Sequence, residues 1–154
     1  MYRPLWSEQI LAEMARALKT KLRRSAEEVA WRRQKMEEAF SEAMVQVPPE
    51  LLKAVECLPD KNDRHVLAAA IMARANTIVT QNTKHFPKDC LAKYGVLCQT
   101  ADDFLIQQYH LCPQLVLDKL DDQGAGISQD RAYVVASLRK SAPGFCKFVE
   151  VHTT

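Results

Sequence analysis

Glycine and proline are scarce in this chain, four and seven of 154 residues, which excludes collagenous and low-complexity architectures. No apolar run approaches the roughly 18–20 residues that cross a bilayer, so no membrane partner is expected. The opening Met1-Tyr2-Arg3-Pro4-Leu5-Trp6 carries no apolar stretch of the signal-peptide kind, and the expected location is the cytoplasm. Cysteine stands only at 57, 90, 98, 112 and 146, with no C-x-x-C pair. That odd count and spacing point away from a disulfide framework and a structural zinc site, toward reduced and mostly buried thiols. A strong charge of one sign is also missing: the net charge is +2, so global charge announces no nucleic-acid partner.

What is present suits one globular unit with a core of ordinary size, since 47% of residues are hydrophobic and 26% charged. Charge is uneven along the chain. Arg16, Lys19, Lys21, Arg23, Arg24, Arg32, Arg33 and Lys35 face only Glu27 and Glu28 within the 16–35 stretch. Such a stripe reads either as a solvated helix face or as a surface for RNA phosphates, and Arg16, Lys19, Arg23, Arg24 and the later Lys84 are the candidate contacts.

Ser7 followed by Ile10, Leu11, Met14, Leu18 and Leu22 predicts an N-capped amphipathic helix. Ser25-Ala26-Glu27-Glu28 is a capping-box pattern opening a second helix, with Val29, Met36 and Phe40 on its apolar face. A brief strand is expected at 44–47, then a short helix from Pro49 through Cys57. Residues 63–75 predict a helix apolar on most of its surface, hence buried. The β-branched Thr77-Ile78-Val79-Thr80 predicts a strand buried on both faces, and 96–99 a second strand. This alternation is the α/β signature. Beyond Thr100 the spacing predicts only helices: 102–111, one from Pro113 broken at Gly124-Ala125-Gly126, and 128–140. The expected organisation is a sheet domain over 1–106 with a helical extension over 107–154.

In an α/β unit the helix start at Asp63 and the strand end at Thr80 share the carboxyl edge of the sheet, where ligands bind. Asp60, Asn62, Asp63, Arg64 and His65 gather there from one loop, and Thr80, Gln81, Asn82, Lys84 and His85 from another. Two close acids among further oxygen donors suit a hard dication such as Mg²⁺ or Mn²⁺. The same Asp60, Asn62 and Asp63 are equally ordinary turn and N-cap residues. Glu13 lies at the border of its helix's apolar face, either leaning over a cleft or solvated.

The run Asp63-Arg64-His65-Val66-Leu67-Ala68-Ala69-Ala70, followed by Thr77-Ile78-Val79-Thr80-Gln81-Asn82-Thr83-Lys84-His85-Phe86-Pro87, resembles the centre of a PIN domain of the kind found in VapC-type toxins. Trp6-Ser7 with Ile10 and Glu13 resembles the family's W-S-x-x-I-x-x-E helix, and Tyr94-Gly95-Val96 with Asp102-Asp103-Phe104-Leu105 its closing strand and helix. The likeness spans about residues 1–106. It implies a three-layer α/β/α sandwich over a mainly parallel sheet and a Mg²⁺- or Mn²⁺-dependent endoribonuclease of a toxin–antitoxin pair. RNA, an antitoxin-like protein and a second copy of the chain are the implied partners. Carried over, Glu13 and Asp63 are catalytic acids and metal ligands, Asn82 is catalytic, and Asp60, Thr80, Arg64 and His85 are supporting. Two departures follow. The family's first strand and its aspartate have no counterpart before Tyr2-Arg3-Pro4, and His85 stands where active members carry aspartate. The acidic site is therefore expected to be incomplete, with a catalytically silent binding protein as the alternative. His85 can ligate a softer metal or stand as a neutral, solvent-facing ring. The absent strand is expected to be lost, omitted at the start of the gene, supplied by another chain, or made good by closure of the remaining strands.

Overall fold

Ser7 starts the first helix: its hydroxyl accepts from the Ile10 N–H at 3.3 Å, and α1 runs Glu8–Lys21. Ser25 and Glu28 make the reciprocal capping box that opens α2 (Ala26–Ala39), with the Ser25 hydroxyl taking the Glu28 N–H and the Glu28 carboxylate taking the Ser25 N–H. The computed structural model describes residues 2–152. The remaining elements are α3 (Pro49–Ala54), α4 (Arg64–Met72), β1 (Thr77–Val79), α5 (Lys88–Ala92), β2 (Leu97–Gln99), α6 (Ala101–Leu111), α7 (Pro113–Gly126), α8 (Arg131–Leu138) and α9 (Pro143–His152). Single 3-10 turns cover Lys61–Asp63 and Thr83–His85.

The chain divides into two compact units. One comprises residues 2–78 and 84–98. In it, α4 buries His65, Leu67, Ala68, Ala69 and Ala70, as an all-round apolar helix should. Its core joins Val55, Leu58, Leu67, Ile78, Phe86, Leu91 and Val96, and a smaller cluster of Trp6, Leu11 and Ala43 packs beside α1. The other unit comprises 79–83 and 99–152. There α6, α7, α8 and α9 enclose Tyr109, Leu120, Val134, Val135, Phe145, Cys146 and Val149.

β1 and β2 form a two-stranded parallel sheet: the Leu97 N–H reaches the Asn76 carbonyl at 2.8 Å, and the Thr80 N–H the Gln99 carbonyl at 3.0 Å. The architecture is mostly helical, with this small parallel sheet. Several local expectations change. β1 is not buried on both faces, because Ile78 is buried while Val79 is exposed. The strand at 44–47 reduces to one parallel bridge between Trp6 and Met44. α7 continues through Gly124, because that glycine lets the chain return: a Cβ there would stand 2.6 Å from the Gln129 carbonyl oxygen. α8 begins at Arg131, capped by Asp130, while Ser128 takes a positive φ of 55°. α9 had no counterpart in the sequence reading.

The thiol reading is corrected at one pair. Cys57 and Cys90 form a disulfide, with Cα atoms 5.5 Å apart across 33 residues of sequence. Spacing rules cannot detect a pair whose members, on the loop after α3 and on α5, meet only in the packed core. Cys98, Cys112 and Cys146 are free.

Candidate metal centre

Asp60 and Asp63 bracket one 3-10 turn yet do different work. Asp60 is its N-cap: one carboxylate oxygen, Oδ1, accepts from the Asn62 N–H at 2.8 Å. Asp63 occupies the N-cap position of α4 but makes no side-chain cap bond there. Its Oδ2 instead accepts from His85 Nδ1 at 2.5 Å. The free Asp60 oxygen, Oδ2, faces the same Nδ1 at 3.7 Å. His85 comes from the turn Thr83–His85, and the buried Phe86 after it anchors that turn in the core. One ligand atom from each of Asp60, Asp63 and His85 lies within 4.8 Å of the others. All three side chains are half-buried and open to solvent on one side. Two carboxylate oxygens and an imidazole nitrogen form a donor set that fits a divalent cation.

Glu13 is oriented by a different residue. His65 is 2% exposed, and its Nδ1–H donates to the Asn62 carbonyl at 2.6 Å. Its Nε2 makes no hydrogen bond and lies 3.3 Å from Glu13 Oε2. This contact is an ion pair only when both ring nitrogens carry protons. His65 thereby touches both the turn that bears Asp60 and Asp63 and the helix that bears Glu13. Sequence reasoning placed His65 in the loop cluster but gave it no role. The usable signal was an imidazole inside a helix whose other positions are apolar.

The other candidate residues fall as follows. Arg64 is half-buried, with an Nε that has no hydrogen-bond partner. Thr80 and Asn82 belong to the second unit, where the Thr80 hydroxyl accepts from the Asn82 N–H at 3.1 Å. Arg16, Lys19, Arg23, Arg24 and Lys84 are all exposed. Arg24 is committed to Glu28 at 3.0 Å, and the neighbouring Arg33 to Glu8 and Glu37 at 2.6 and 2.8 Å. The Arg33 bond holds the Glu8 carboxyl below the usual carboxylate range, the Ser25 N–H with Arg24 beside it does the same for Glu28, and part of the basic stripe is neutral in sum. Among the described residues, Arg16, Lys19, Arg23 and Lys84 make no ion pair, so these four are free to meet phosphate.

Comparison with known proteins adds two matches. A family model described as a PIN domain matches residues 1–84, more than half of the chain. A protein of Mycobacterium tuberculosis (strain ATCC 25618 / H37Rv) named "Putative ribonuclease VapC50" is 55% identical over 49 residues. That stretch is 32% of this chain and 29% of the relative's own length, so well under two thirds of the relative is covered. No solved structure matches the chain.

Proposed function

This chain belongs to the PIN-domain family, and from that premise we propose that it is a metal-dependent endoribonuclease of a toxin–antitoxin pair. The observation that carries the reading is the convergence of Asp60, Asp63 and His85, with Asp63 released from helix capping to face the other two. A bound Mg²⁺ or Mn²⁺ would supply charge stabilisation at a phosphodiester and an activated water. In this reading Asp60, Asp63 and His85 form the donor set, and Glu13, which lies against His65 outside that cluster, would join the ion with Asp63 only after its side chain moves. Asn82 is taken as catalytic and Thr80 and Arg64 as supporting, the roles that the family resemblance implies. Arg16, Lys19, Arg23 and Lys84 carry the RNA backbone, a role for charges free to displace counterions, and Arg24 joins them by exchanging Glu28 for phosphate. The acidic site holds less negative charge than the family pattern, because an imidazole replaces one carboxylate.

The proposal extends to the fold and to partners. It takes residues 1–106 as the PIN-like part of a three-layer α/β/α sandwich and 107–154 as a helical extension. It takes an antitoxin-like protein and a second copy of the chain as partners, acting in the cytoplasm. The relative named as a ribonuclease supports the substrate class. The test is cleavage of single-stranded and structured RNA by the full chain with Mg²⁺ or Mn²⁺. Cleavage is expected with metal, abolished by EDTA and lowered about 100-fold or more in Asp63→Asn, the scale on which lost metal charge acts. Intact RNA in the presence of either ion would overturn the enzyme reading.

A further inference from the structure

Resting on the nuclease reading above, we propose that the Asp60–Asp63–His85 centre selects a first-row transition dication over Mg²⁺, with His85 Nδ1 as a direct ligand. The family pattern would place a carboxylate at this position, so the inference concerns what this chain does differently. Three observations converge on it. First, Nδ1 is the ring atom aimed at both acids, 2.5 Å from Asp63 Oδ2 and 3.7 Å from Asp60 Oδ2. Second, the acids are held so as to present those oxygens. Asp60 keeps Oδ1 on the Asn62 N–H, which leaves Oδ2 for the ion, and Asp63 spends neither oxygen on capping α4. Third, the span is right. Donor atoms within 4.8 Å of one another can all sit roughly 2.0–2.4 Å from one ion after small side-chain shifts.

Ligand chemistry then decides the metal. Mg²⁺ favours an all-oxygen octahedron and gives up water reluctantly, so an imidazole nitrogen adds little to its binding. Transition dications gain from the same nitrogen, and the gain rises along the first row. In the metal-free protein the Nδ1–H···Oδ2 bond between His85 and Asp63 occupies the place of the ion. A cation bound at Nδ1 would take the place of that N–H, and the neutral ring would then carry its one proton on Nε2. An aspartate at 85 would offer oxygen, restore the negative charge and erase the preference.

The experiment uses the full chain, Mn²⁺ and Mg²⁺ as the ions, and no RNA. Calorimetric titration gives the two affinities, and pulsed electron paramagnetic resonance of the Mn²⁺ complex reads directly bound ¹⁴N. The expected result is Mn²⁺ binding about tenfold or more tighter than Mg²⁺, with imidazole ¹⁴N coupling. His85→Asp should lose the coupling and bring the two affinities together. His85→Ala should lose the coupling and weaken Mn²⁺, which guards against a folding effect of the aspartate. Mn²⁺ bound without nitrogen coupling, coupling that survives in His85→Asp, or no Mn²⁺ binding would each overturn the proposal. The nuclease reading is judged separately, by RNA cleavage in Mg²⁺ and its loss in Asp63→Asn, and it survives a Mn²⁺ complex that lacks nitrogen.

Discussion

Asp60 and Asp63 are the same residue type three positions apart, and only their surroundings separate a cap from a ligand. Asp60 satisfies the Asn62 N–H, whereas Asp63 turns to His85. A sequence cannot distinguish them, because either aspartate has the reach for either partner. His65 is the residue most worth perturbing. It is buried, and it touches both the turn carrying the acids and Glu13. His65→Ala is expected to destabilise the protein by about 2–3 kcal/mol, from a cavity and an unpaired Asn62 carbonyl, read as a shift in urea midpoint. Glu28 allows a pH test. The Ser25 N–H, with Arg24 beside it, lowers its carboxyl from the ordinary value. A lowered carboxyl contributes stability that is whole above the ordinary carboxylate pKa and is lost as pH falls through the lowered one. Glu28→Gln should therefore be less stable than the parent near neutrality, the gap closing in acid below the ordinary value. A gap constant from neutral to acid pH in thermal melts would contradict this.

At the scale of elements, four helices start on a local side-chain cap, and one is capped from a distance. Ser7, Ser25, Thr100 and Asp130 each cap the helix that follows them. α9 has its capping carboxylate on α6 instead: Asp102 accepts from Gly144 N–H at 2.9 Å and from Phe145 N–H at 2.6 Å. No local window contains that pairing, which spans more than forty residues. Asp102→Ala is expected to cost about 1–2 kcal/mol, by orphaning two half-buried donors, with faster amide exchange confined to the first turn of α9. Gly144→Ala should act in the same direction, since its Cβ would stand 2.8 Å from Asp102 Oδ2 and push the cap away. Unchanged exchange in both variants would remove Asp102 from this role.

At the scale of the molecule, the Cys57–Cys90 bond closes a loop that contains Asp60, Asp63, α4, β1 and His85, so it constrains every member of the donor set. Closing a loop of this length is worth about 3–4 kcal/mol in the chain-entropy account. Reduction with dithiothreitol, or Cys57→Ser, is expected to lower the melting temperature accordingly, and an unchanged melt would show that the bond constrains little. The order of helices through α8, the buried character of α4, the two parallel strands and the gathering of acids near position 63 were all legible in the sequence. They rest on short-range rules: apolar period, capping chemistry and β-branching act within a turn or two of the residue that carries them. Which aspartate faces His85, where Cys57 finds its partner, what caps α9 and why Gly124 does not end α7 were decided only by the tertiary structure. In each case the deciding atom lies outside the local window, in Asp63 and His85 22 residues apart or Cys57 and Cys90 33 apart, and packing alone sets that separation in space.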